Sequence, residues 1–329
     1  MPHLTTLDLL AAMCLPGVGS ATVRKLYEQA RLGIPMSADI GLEKSLVGVL
    51  RTGTPLPTSA DLKIAYDDAH EILNRSALLS ITTLSPLDQS YPRRLLDLAD
   101  FPPILYVKGS LSTVANSRKV ALVGTREASA LGLRLARTIA SEISQLGICV
   151  VSGLATGIDT AAHQGAITGS GSTIAVMAHG LDQVAPKANE QLAQKILESN
   201  GALVSEHEVG VIPRPPQFVT RNRLQSGLSR ASVVIESGFS GGSIHQGKFT
   251  GQQGRLLFVI KPDALDEGAS AFKREGAERL EAEYHAKAVR GTAEILDFIP
   301  EFLNPPPDTS PLDDRAISST PPSQQRLFE

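Results

Sequence analysis

Two arginines flank an asparagine at Arg221-Asn222-Arg223, inside a run from Phe218 to Ser229 that reads as the opening of a helix. A guanidinium offers phosphate oxygens a rigid fork of donors, and the amide can brace a neighbour. Helix N-termini add backbone N–H groups without internal partners, so the combination suits a polyanion. Phe218, just upstream, supplies a ring on which a base could stack. Arginines near a helix start also pair with acidic neighbours, so the rest of the chain has to decide.

The residues that follow successive apolar runs are of a similar kind. They are Gly124-Thr125-Arg126, then Ser152 through Asp159, then His179-Gly180-Leu181-Asp182, then Glu236 through Ser243. Glycine lets backbone N–H groups approach an anion closely, and the helical patterns that follow would turn their positive ends toward the same rim.

Other chemistries fit poorly. A dinucleotide site wants G-x-G-x-x-G after the first strand, but Gly132 lies too far from Gly124 and Arg126 fills the loop. No Gly-Lys-Ser/Thr phosphate loop occurs, and the seven histidines lack metal spacing. Asp159 and His163 share a helix face at i, i+4, yet no G-x-S-x-G elbow offers them a serine. His163 is expected to pack between helices. Glu206 and Glu236 each follow a strand; they could pair as catalytic carboxylates, but a role in orienting arginines is favoured. Cys14 and Cys149 are expected to be inert buried thiols. No catalytic residue, metal or cofactor is expected.

The elements that must position these residues fall in three parts. Residues 1–80 carry apolar positions at helical intervals, broken by a Gly/Pro/Thr-rich stretch at 52–59, and read as a small helical domain. Residues 81–300 alternate apolar strands with amphipathic helices. Strands are expected at 120–123, 148–151, 173–177, 202–204, 232–235 and 256–260, and a helix at 189–200. Strands apolar throughout and joined by helices imply an α/β, Rossmann-like, doubly wound parallel sheet, whose ligands sit beyond the strands' carboxyl ends. Weaker apolar segments follow at 271–280, 286–289 and 293–299. Residues 301–329, rich in Pro, Ser, Thr and Asp, read as a disordered C-terminal tail.

At 329 residues the chain has room for about two domains and a sizeable core. Its net charge of −3 is unevenly spread. Residues 118–262 hold 14 basic against 9 acidic side chains and residues 263–329 hold 7 against 14, which permits a local polyanion site in an acidic protein. Neither a signal peptide nor a run of ~20 apolar residues is evident, so a cytoplasmic protein without a membrane segment is expected.

The motifs together resemble the DNA-processing protein A family, DprA or Smf. The matches run in order through Tyr91-Pro92-x-x-Leu95, Pro102-Pro103-x-Leu105-Tyr106, Val123-Gly124-Thr125-Arg126 and Ser152-Gly153-Leu154-Ala155-x-Gly157-Ile158-Asp159-x-x-Ala162-His163. They continue through Gly201 to Glu206 and Arg221-Asn222-Arg223-x-x-x-Gly227-Leu228-Ser229. The resemblance covers about residues 5–262. It implies a non-enzymatic homodimer that binds single-stranded DNA and loads a RecA-type recombinase during natural transformation or recombination. It also implies DNA contacts at Gly124, Thr125, Arg126, Ser152, Gly153, Phe218, Arg221, Asn222 and Arg223, with Gly242, Ser243 and Arg214 as further candidates.

The chain departs from the family at Ala178-His179-Gly180, Ala185-Pro186, Ile244-His245-Gln246-Gly247 and Lys261-Pro262, and no winged-helix pattern follows. Alternatives on the same sheet type are a Rossmann-like nucleotide hydrolase or a nucleotide sensor. The hydrolase's Pro-Gly-Gly-x-Gly-Thr loop is replaced here by Ser240-Gly241-Gly242-Ser243.

Two further motifs stand apart. Leu15-Pro16-Gly17-Val18-Gly19 resembles a helix-hairpin-helix turn, whose amides can hold a phosphate. Gln324-Gln325-Arg326-Leu327-Phe328 is similar to the peptide by which bacterial proteins dock on the DNA polymerase sliding clamp, with Gln324, Leu327 and Phe328 as the anchors on a flexible tether.

Overall fold

The computed structural model describes residues 4–32, 42–50 and 54–300. The clamp-like motif and the rest of the expected tail lie outside the described residues.

The chain opens with α1 (Thr6–Cys14), α2 (Ser20–Arg31), α3 (Leu42–Val47) and α4 (Ser59–Leu78). Reciprocal caps start two of these helices: Thr5 Oγ1 accepts the Asp8 N–H while the Asp8 carboxylate accepts the Thr5 N–H, and Thr58 and Asp61 repeat the device. Such caps contribute on the order of 1 kcal/mol each. Leu15–Gly19 forms the turn between α1 and α2, with Gly17 at φ 76.

The sheet layer follows: β1 (Ile81–Leu84), β2 (Leu105–Gly109), α5 (Leu111–Ala115), β3 (Lys119–Val123), α6 (Ala130–Gln145), β4 (Cys149–Ser152), α7 (Ile158–Thr168) and β5 (Thr173–Val176). Then come α8 (Glu190–Glu198), β6 (Ala202–Ser205), α9 (Pro215–Leu228), β7 (Ala231–Val234), α10 (Gly242–Gln252), β8 (Leu256–Ile260), α11 (Glu275–Tyr284), β9 (Lys287–Val289) and α12 (Thr292–Asp297).

Among the described residues nine strands form one sheet in the order β1-β2-β6-β5-β4-β3-β7-β8-β9, parallel from β6 to β9. The six expected strands are its centre. Three were not expected as strands: β1 and β2, an antiparallel pair that extends the β6 edge, and β9 at the other edge.

Alternate residues of each strand serve opposite faces. Val120, Leu122 and Val150 meet α6 and α7 on one side, while Ala121, Val151, Ile174 and Val176 meet Leu224 and Leu228 of α9 on the other. Burial on both sides is why the strands read as unbroken apolar runs.

Among the described residues, the helices before β1 do not hold a core of their own. Leu9, Leu10, Leu26, Leu46, Ala65 and Ala69 share one cluster with Ile81, Ile104, Tyr106, Ala175, Met177 and Leu203 of the sheet layer. Chain path, rather than packing, marks the boundary near residue 80.

The connections from β3 to β6 step outward in one direction along the sheet. The connection through α9 then returns to the far side of β3, and β7, β8 and β9 step outward the other way. The point of reversal lies between β3 and β7, where a doubly wound sheet opens a crevice beyond its strand ends.

Candidate nucleic-acid interface

A cavity of about 500 Å³ occupies that crevice. One wall is Gly124–Glu127 after β3, another is Gly238 and Ser240–Ser243 after β7, and Ala155 of the β4–α7 loop and Asp159 at the start of α7 contribute as well. Helix α9 supplies Pro215, Phe218, Val219, Arg221, Asn222 and Gln225, and Gln246 comes from α10.

The β3 loop is held tightly. Thr125 N–H donates to the Glu236 carbonyl at 2.8 Å, and Ile158 N–H donates to the Thr125 carbonyl at 3.2 Å. Gly157, at φ 79, brings the start of α7 against this loop; a Cβ there would strike the Thr125 and Arg126 carbonyls. Only glycine combines that backbone with that approach. Arg126 is thereby presented at the rim, exposed, its guanidinium 5.8 Å from the centre of the Phe218 ring. A cation over an aromatic face is attracted by the ring's quadrupole, and the pair offers a base a stacking surface beside a positive charge.

Opposite, α10 begins at Gly242 with no side-chain cap; Gly241 stands at the cap position. The positive end of this helix faces the cavity. The start of α6 is occupied by the protein itself: Glu236 accepts Ser129 N–H at 3.0 Å and Ser129 Oγ at 2.9 Å, and the Lys273 N–H at 3.2 Å. Glu206, in contrast, orients an arginine, accepting from Arg223 Nη1 and Nη2 at 3.1 and 2.6 Å.

The run 221–223 lies in the second turn of α9, because the helix starts at Pro215 and its first turn is spent on two prolines. These residues therefore offer side chains and not terminal N–H groups. Successive helical residues turn by about 100°, and the three part company. Arg221 is 5% exposed, with Nη1 donating to the Val176 carbonyl. Asn222 lines the cavity and donates to the Gly242 carbonyl at 3.0 Å, tying α9 to the start of α10. Arg223 points the other way, into Glu206 and Asp100, the latter at 2.8 Å.

Burial works against both charges of the Arg221–Asp159 couple. It lowers Arg221 to about 10, opposed by the Asp159 charge. It raises the Asp159 carboxyl, opposed by Arg221 and by the Gly153 and Ala155 N–H groups, which donate to it at 3.2 and 3.3 Å.

Of the other expected contacts, Gly242 and Ser243 line the cavity, with Ser243 Oγ 2.7 Å from Ser237 Oγ. Ser152 is fully buried and donates to the Leu122 carbonyl at 2.7 Å, which corrects its expected place on the rim: it ends a strand inside the sheet. Gly153 borders a smaller hollow beside the cavity, with Arg126, Phe218 and Arg221. Arg214 is exposed at the start of α9 and is not part of the lining.

Sequence reasoning missed Pro215, Val219, Gln225 and Gln246. The helical repeat through Phe218 would have found three of them, since 215, 218, 219, 222 and 225 fall on one stripe. It also missed the service of Asn189, which donates to the Leu154 carbonyl and Thr160 Oγ1 at 2.8 and 2.9 Å and steadies the loop after β4.

His163 is wholly buried, as expected for a helix-packing histidine. Cys149 is buried and Cys14 half-buried; both are free, and burial pushes each thiol up to about 11. Among the described residues no cluster of His, Cys, Asp and Glu is placed to hold a metal ion. No helix among them is long and apolar enough to cross a membrane.

Comparison with known proteins places these features in a wider set. Residues 82–300 match the family described as DNA recombination-mediator protein A. The protein Smf of Escherichia coli is 38% identical over 178 residues, 54% of this chain and 47% of that protein. The DNA processing protein DprA of Bacillus subtilis is 33% identical over 221 residues, 67% of this chain and 72% of that one. The matched region spans only about half the length of the Smf proteins of E. coli and Synechocystis, 47% and 55%.

Among solved structures, DNA processing protein A of Streptococcus pneumoniae superposes with a TM-score of 0.70 at 28% identity, covering 90% of this chain and 98% of that one. DNA processing protein A of Helicobacter pylori, studied for its single-stranded DNA binding mode, superposes with a TM-score of 0.58 at 25% identity, covering 67% and 96%.

Proposed function

The chain belongs to the DNA recombination-mediator protein A family, and from that premise we propose that it binds single-stranded DNA in the cavity between β3 and β7 and passes the strand to a RecA-type recombinase. It acts in the cytoplasm as a homodimer and without catalysis. The observation that carries this reading is the pairing of an exposed Arg126–Phe218 stack with the uncapped start of α10 across one crevice. A base can lie on the ring while phosphates meet the guanidinium and the helix end. Non-catalytic action is supported by the commitments of the would-be acid and base: Asp159 holds two loop amides and His163 is sealed inside.

The test is binding of fluorescent oligo-dT, its duplex and mononucleotides over a salt series, for the wild type and Arg126→Ala. Strand-selective binding that weakens with salt is expected. Loss of one exposed phosphate contact should weaken binding about tenfold and make the salt slope shallower by roughly one. Thermal stability should change little, because the Arg126 side chain is exposed and rests against the Phe218 ring. Tight mononucleotide binding without strand affinity would discard the proposal in favour of a nucleotide hydrolase or sensor.

The C-terminal motif supplies a second contact. Gln324, Leu327 and Phe328 dock on a DNA polymerase sliding clamp, the Leu-Phe pair entering an apolar groove and the amide setting register. Leu327→Ala/Phe328→Ala should abolish retention on immobilised clamp and leave oligo-dT binding as it was; undiminished retention would remove the clamp from the partners.

A further inference from the structure

Phe239 is 67% exposed, on the turn between β7 and α10, flanked by Gly238 and Ser240 of the cavity wall. Its ring is nonetheless fixed. The Arg279 guanidinium of α11 lies 5.2 Å from the ring centre. Arg279 Nη1 donates to the Phe239 carbonyl at 3.2 Å, and Nε donates to Glu283 at 2.9 Å. Two acceptors thus hold the guanidinium against the ring.

The turn itself is permissive: Gly241 has φ 137, and nothing stands within 4 Å of where its side chain would be. A large apolar ring placed in water on such a turn, and braced there by a cation, repeats the Arg126–Phe218 pair across the cavity mouth.

We propose that Phe239 and Arg279 form a second base-stacking platform, over which a single strand leaving the cavity lays a further base. The proposal presupposes that the cavity holds single-stranded DNA. Its chemistry differs from that of Arg126. Helix α11 carries Glu275, Glu278, Glu281 and Glu283, and Arg279 is already paired with the last of these. The surroundings therefore disfavour a phosphate, and the ring face recruits a base. Stacking on an aromatic tolerates any base and adds little salt dependence of its own, so the platform raises affinity without changing the number of ionic contacts.

The chain has no Trp, so Phe239→Trp installs a single indole on the platform. Oligo-dT of graded length is titrated into Phe239→Trp while emission is followed, and binding is measured in parallel for the wild type, Phe239→Ala and Arg279→Ala. Stacking should quench the indole as the oligonucleotide saturates, and only above a threshold length. Phe239→Ala should weaken binding about five- to tenfold, as removal of a stacking ring does, with the salt slope unchanged.

If Phe239→Trp saturates without a change in emission and Phe239→Ala binds as the wild type does, the platform is refuted and the cavity remains the DNA site. If no variant, nor the wild type, binds any oligonucleotide, both readings fall. Unchanged DNA affinity with altered sedimentation of Phe239→Ala would assign the ring to contact between copies of this chain, which also overturns the proposal.

Discussion

Arg221→Ala is expected to lower the unfolding free energy by about 3–5 kcal/mol, the range for removing one partner of a buried charge pair. The residue is 5% exposed beneath the cavity, and its charge is the chief support of the Asp159 carboxylate, itself 7% exposed. Without it a carboxylate remains in a desolvated site with two backbone amides for company. Arg221→Met combined with Asp159→Asn removes both charges and should recover at least half of the loss. Denaturant titration of the three forms decides it. If the single variant is as stable as the wild type, the couple is not structural. The consequence for binding work is direct: loss of DNA affinity in Arg221→Ala would mix lost contact at the cavity wall with lost stability, and Arg126→Ala is the variant that isolates contact from folding.

That distinction was hidden in the sequence. Arg221, Asn222 and Arg223 are neighbours in the chain and appear as one cationic cluster, but a helix aims them in three directions, and only the positions of Asp159, Gly242 and Glu206 reveal where each ends. The loops were legible for the opposite reason. Gly124–Arg126 and Gly238–Ser243 each follow an apolar strand directly, so topology alone puts them on the rim.

The central strands were equally plain, because burial on both faces writes a run such as Val120-Ala121-Leu122-Val123 into the sequence. Ile81–Leu84 is short and half polar, with burial only at its ends, and it is a strand because Leu105–Lys108 pairs with it from more than twenty residues away. The bracing of Phe239 was invisible for a related reason: the guanidinium that fixes it comes from a helix 40 residues later.

A second large effect is expected on acidification. Thr173 Oγ1 gives its single proton to the Val150 carbonyl at 2.7 Å, so His163 Nδ1, 2.8 Å away, must carry the proton between them. Nε2 has no partner. A second proton would sit there without an acceptor, in a desolvated site that also feels the Arg221 charge, and His163 is lowered to about 3.

The folded state therefore keeps this imidazole neutral while the unfolded chain protonates it near 6.5. The stabilisation is complete above that value and is lost as pH falls toward 3. The loss is about 2 kcal/mol between pH 7 and pH 5 and ~4 kcal/mol by pH 3. His163→Asn keeps a donor for Thr173 and cannot titrate, so it should lack this share of the acid sensitivity. Equal pH dependence of the two proteins in denaturant titrations at pH 7 and pH 5 would sink the assignment.

The two ends of the nine-stranded sheet bear on how the protein behaves in quantity. One edge closes with the four residues of β1 and the other with the three residues of β9. An unpaired strand is a template for the next chain in proportion to the length of backbone it exposes. The long, fully apolar strands that would be most hazardous in that position are all interior. Copies of the chain brought close together can thus stand side by side without fusing sheet to sheet, and contact between them is left to side chains, where it can be reversed.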